Sequence, residues 1–123
     1  MSNDLKQIRR LTAINEGWER FIIDLDKDRE RLEKMEIIDA KKVIDRIQGM
    51  KVEVSERIRT NEKTKQAILD KVDCLDDPYK TILLYRYRDG LTWDQIAENM
   101  NYNVRWVYRM HKKALMTYEK PAS

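Results

Sequence analysis

Arg105 and Arg109 lie four residues apart in the run Asn103-Val-Arg-Trp-Val-Tyr-Arg-Met110. On a helix this spacing sets two guanidinium groups one turn apart on one face. Each is a planar fork of donors that matches the paired acceptors on the major-groove edge of guanine. Lys112 and Lys113 follow and suit phosphate oxygens, which need charge but no base-specific geometry. With Val107, Met110 and Ala114 turned inward, the outer positions are Val104, Arg105, Tyr108, Arg109 and Lys112. Trp106 and Tyr108 offer apolar contact to thymine methyls or to sugars; for Trp106, packing at the rim of a small core is the weightier alternative. The helix start at Thr92–Trp93 presents unpaired backbone amides to a phosphate, and Asn103 caps the helix that carries the arginines.

Other chemistries find no support. His111 is the only histidine and has no co-ligands at metal-binding spacing. Cys74 is the only cysteine, which excludes an internal disulfide; between Val72 and Leu75 it is expected to pack. There is no phosphate-binding glycine loop. Asp24, Asp26, Asp28, Glu30 and Glu33 fall on charged faces of a long helix and not in a catalytic pair. The reading is a non-enzyme with no cofactor and no metal.

Three helices must position the basic face. The first runs from Pro78 to about Arg88, with Asp77 as its cap and Tyr79, Ile82, Leu83 and Tyr87 on one face. Asp89-Gly90 stops it, because glycine adopts left-handed angles cheaply. The second spans Trp93–Met100 and opens with a Thr92/Gln95 capping box. The third spans Val104 to about Tyr118. Ile96, Ala97, Met100, Val107 and Met110 face inward, with Ala97 small where two helices cross. Asn101 holds the left-handed turn position and Tyr102 is expected to plug the turn. This is a helix-turn-helix, whose last helix enters the major groove.

Ahead of it, Leu11, Trp18, Leu25 and Leu32 recur every seven residues, with Ile8, Ile14, Phe21, Ile22 and Met35 beside them and Asp28 interrupting. That is one apolar stripe on a long helix. A second long helix carries Val43/Ile44, Ile47, Val54, Ile58, Ile68, Val72 and Leu75, weakened by Asn61 and Lys65. The turn between them is placed at Glu36–Asp39, with Asp39 as a cap; Gly49 is the alternative. The expected architecture is all-α: a coiled-coil-like antiparallel hairpin over 1–76, a helix-turn-helix unit over 77–120, and a frayed tail at 121–123. Dimerisation through the hairpin is open, since so thin a core leaves apolar surface to cover.

Charged residues make up 38% of the 123, yet 41% are hydrophobic, a balance that fits exposed helices better than disorder. Residues 1–78 hold 17 Lys+Arg against 18 Asp+Glu, while 79–123 hold 8 against 4. The positive excess therefore lies in the helix-turn-helix segment and points to a polyanion partner. No apolar run spans a membrane and the start carries no signal-peptide core, so a cytoplasmic location is expected.

At these residues the chain resembles the fourth conserved region of sigma-70-type bacterial sigma factors. Tyr85-Arg86-Tyr87 is similar to the end of the family's first helix, Leu91-Thr-Trp-Asp-Gln-Ile-Ala97 to its second, Asn103-Val-Arg-Trp-Val-Tyr-Arg-Met110 to its recognition helix, and Lys113-Ala-Leu115 to its ending. Trp93 and the string from Asn101 to Val107 look particularly like small phage and prophage regulators that join such a unit to an N-terminal coiled coil. The resemblance implies double-stranded DNA as partner, contact with RNA polymerase, and control of transcription. Asn101 departs from the family's glycine, and residues 1–75 do not resemble a promoter-melting region. Two alternatives stand beside this one: a protein-interaction module, and a phage DNA-packaging recognition subunit.

Overall fold

The computed structural model describes residues 3–35 and 40–120. Among the described residues five α-helices follow one another: α1 (Asn3–Lys34), α2 (Ala40–Asp73), α3 (Tyr79–Leu83), α4 (Trp93–Met100) and α5 (Val104–Glu119). A π-helical turn, Leu84–Arg88, continues α3. Among the described residues there is no strand, and no helix is long and apolar enough to cross a membrane. The expected turn at Glu36–Asp39, its Asp39 cap and the tail at 121–123 lie outside the described residues. Gly49 is helical within α2, so the alternative turn is not realised.

The chain forms two units. One is residues 12–63, where α1 and α2 run antiparallel: Asp26 pairs with Lys51 (2.7 Å) and Asn15 with Glu62 (3.0 Å). Leu25, Ile47 and Val54 are its buried apolar residues, as the stripe requires. Asn15 is 3% exposed, the buried polar side chain of the pairing. Its amide donates to the Ile58 carbonyl (3.3 Å) and to Glu62 Oε1, and its oxygen accepts from Asn61 Nδ2 (2.9 Å). Asn61, which interrupts the stripe in sequence, thus completes a satisfied polar layer that opposes sliding of one helix along the other.

The other unit joins, among the described residues, 3–11 to 64–120. One core of this unit draws on several elements. Leu5 and Ile8 of α1 and Ile68 and Val72 of α2 pack with Leu83, Tyr87, Ala114 and Tyr118. A second cluster, Ile82, Ile96, Ala97 and Val107, holds the three C-terminal helices together. Cys74, expected to pack, is exposed, because α2 ends at Asp73 and turns it outward.

Candidate nucleic-acid interface

Local signals in the sequence set the geometry of this unit. Helix α3 starts at Tyr79, one residue after the expected Pro78. The Asp77 carboxylate accepts from the Thr81 amide (3.3 Å) and hydroxyl (2.5 Å), and so serves the helix start from just outside it. Gly90 has φ 69°, the left-handed stop. Thr92 and Gln95 form the reciprocal capping box: Thr92 Oγ1 accepts from the Gln95 amide (3.1 Å) and Gln95 Oε1 from the Thr92 amide (2.8 Å). Asn101 takes φ 59° and closes α4, its asparagine filling the position where glycine is usual. Asn103 Oδ1 accepts from the Trp106 amide (2.7 Å) and fixes the start of α5.

On α5, Val107 and Ala114 are fully buried and Met110 packs against the second cluster. Arg105, Tyr108, Arg109, Lys112 and Lys113 are exposed on the opposite side. None of the four cations makes an ion pair among the described residues. The face is thus basic and uncompensated.

Other residues of this segment take different surroundings. Val104 is half-buried against the Ile82–Val107 cluster, one turn before Val107, which draws it inward. Trp106 packs at the rim of the same cluster. Tyr102 does not plug the turn; it is 54% exposed and stacks on Trp106 with centroids 3.7 Å apart. Trp93 is half-buried, with the Arg86 guanidinium 4.3 Å over its ring and His111 and Tyr108 at its edges (4.6 and 5.4 Å). Thr92 is exposed at the helix start.

The sequence did not disclose the network behind this face. Arg86 donates to the Leu91 carbonyl (2.9 Å) while stacking on Trp93. A hydrogen bond of 2.8 Å joins Tyr87 Oη to His111 Nε2. Burial, helped by the nearby Arg86 charge, lowers the His111 pKa, and burial raises that of Tyr87. The signal available was periodicity: Tyr87 falls on the inward face of its helix, while His111 directly follows inward-facing Met110.

Residues 65–117 match the family model for sigma-70, region 4. The segment is thus similar to region 4, a helix-turn-helix that suggests DNA binding and transcription regulation. The match begins inside α2, within one residue of where the second unit resumes at 64, so the last turns of α2 belong to the region 4 unit. No curated protein and no solved structure matches the chain. Among the described residues no group of His, Cys, Asp or Glu is arranged to hold a metal ion.

Proposed function

We propose that the chain binds double-stranded DNA in a sequence-dependent manner and regulates transcription, with α5 in the major groove. The observation that carries this is the uncompensated basic face of α5, held by a capped helix-turn-helix in the region 4 segment. Arg105 and Arg109 read guanine edges, Tyr108 meets thymine methyls or sugar, and Lys112, Lys113 and the amides at Thr92 and Trp93 hold phosphates. Asn103 contributes by fixing the helix start, and Val104 and Trp106 by seating it. Sequencing of random duplexes retained by the protein tests the reading. An enriched motif is expected, and retention without any enrichment overturns sequence recognition. Arg105→Ala or Arg109→Ala should each cost about 1–3 kcal/mol and relax preference at one position. A motif at promoters supports a regulator that works with RNA polymerase in a phage or prophage setting, whereas one at a packaging site supports the DNA-packaging alternative.

A protein-interaction role for the hairpin is favoured by one observation. Phe21 and Ile23 on α1 and Val43 and Val52 on α2 are large apolar side chains that are exposed. We propose that these exposed side chains meet a second copy of the chain, and sedimentation of the intact protein should show a dimer that Ile23→Glu/Val52→Glu dissociates.

A further inference from the structure

One concavity is lined by residues of α1, the π-helical turn, the start of α4 and α5. It encloses about 520 Å³. Lys6 and Arg9 of α1, Arg86 of the π-helical turn, Gly90, Trp93 and His111 line it, and no carboxylate does. Arg86 is pinned by its bond to the Leu91 carbonyl and by the Trp93 ring. Arg9 lies directly over Gly90, where a Cβ would collide with its guanidinium. Gly90 is required for its left-handed φ, and the guanidinium at the free end of the Arg9 side chain rests over it. Lys6 lies three residues before Arg9, on the same side of α1. Lys6 and Arg9 are exposed and make no ion pair among the described residues.

Three cations converging on a hollow without a counter-charge are a receptor for an oxyanion, and arginine forks suit the tetrahedral oxygens of phosphate. Trp93 lines the hollow and opens α4, so the site adjoins the helix start that faces phosphate in the proposed DNA complex. We propose that Lys6, Arg9 and Arg86 bind a backbone phosphate of the duplex whose major groove holds α5, so that the N-terminal helix extends the DNA footprint. This rests on the DNA-binding reading above.

The test compares the intact protein with Lys6→Gln/Arg9→Gln and with Arg105→Ala/Arg109→Ala, on the enriched duplex and on a scrambled one, across a salt series. Lys6 and Arg9 lie outside both apolar clusters, and a thermal melt of each variant checks that the fold is retained. The Lys6/Arg9 variant should weaken both duplexes alike, and its plot of log affinity against log salt should be shallower by about 0.9 for each phosphate no longer neutralised. The Arg105/Arg109 variant should instead lose the difference between the two duplexes. Unchanged affinity and slope in a folded Lys6/Arg9 variant overturns the proposal while leaving the recognition helix intact. Loss of duplex discrimination in neither variant overturns the recognition reading instead. Titration with inorganic phosphate, followed through Trp93 fluorescence, separates the sources. A response in the parent that the Lys6/Arg9 variant lacks, together with an unchanged DNA slope, assigns the hollow to a free phosphorylated ligand and overturns the DNA placement. Absence of DNA binding by the parent protein overturns both readings.

Discussion

At the scale of single residues, burial and hydrogen bonding decide what each polar group contributes. His111 is half-buried, bonded to Tyr87 and edge-on to Trp93, in the field of Arg86. Desolvation lowers its pKa from the ordinary 6.5, so the folded protein binds the proton less readily than the unfolded chain. The contribution is full above pH 6.5 and declines as pH falls below it. Denaturant titrations between pH 7.5 and 5 should show this decline, and His111→Gln should flatten it. Asn15 is buried and Asn61 half-buried, and they share a bond in a polar layer. Replacing each by alanine singly and together should reveal a coupling of about 1 kcal/mol in a double-mutant cycle. Neither role was legible beforehand. Asn61 reads as a flaw in an apolar stripe, because one strand of sequence does not disclose its partner on another helix. The Arg86–Trp93 stack is hidden for the same reason.

At the scale of elements, the C-terminal helices were the most legible part. Their ends are written in local chemistry: Thr92 with Gln95, Asn103 before α5, Gly90 and Asn101 at left-handed angles. Such signals act within a few residues, so sequence exposes them fully. Thr92→Ala or Asn103→Ala should each cost on the order of 1 kcal/mol in thermal or denaturant unfolding. Asn101→Ala should cost about 1–2 kcal/mol through its left-handed backbone alone. Inward and outward positions on α5 were readable to within one residue. Val104 was the exception, since a residue at the first turn can lean either way and only the Ile82–Val107 cluster fixes which. The π-helical turn at Leu84–Arg88 had no sequence signal, because the extra residue per turn is imposed by packing and not by side-chain type.

At the scale of the whole molecule, the long helices were evident from periodicity, but the division of the chain was not. Pro78 and the two aspartates before it mark a true break in secondary structure. They do not mark the edge of the region 4 core, because Leu5, Ile8, Ile68 and Val72 cross that break to meet Tyr87 and Tyr118. Periodicity assigns such residues to a helix face and is silent on what covers it. Leu5→Ala or Ile8→Ala should therefore destabilise the helix-turn-helix unit by about 2–5 kcal/mol, measurable as unfolding reported by Trp93 and Trp106. A fragment beginning at residue 77 should be markedly less stable than the intact chain and should bind DNA more weakly in proportion. The same closure sets the order of events at the ribosome. Leu5 of α1 and Tyr118 of α5 share one apolar cluster. The first turns of α1 are thus made early and must wait, their apolar side uncovered, until Tyr118 has left the ribosome. Only then does the unit close, across a long contour of polypeptide. The hairpin segment over 12–63 has no such delay and can pair while synthesis continues. A nascent chain stalled before α5 would carry the pairing helices without a completed reading head, so the capacity to engage DNA arrives only once α5 has emerged.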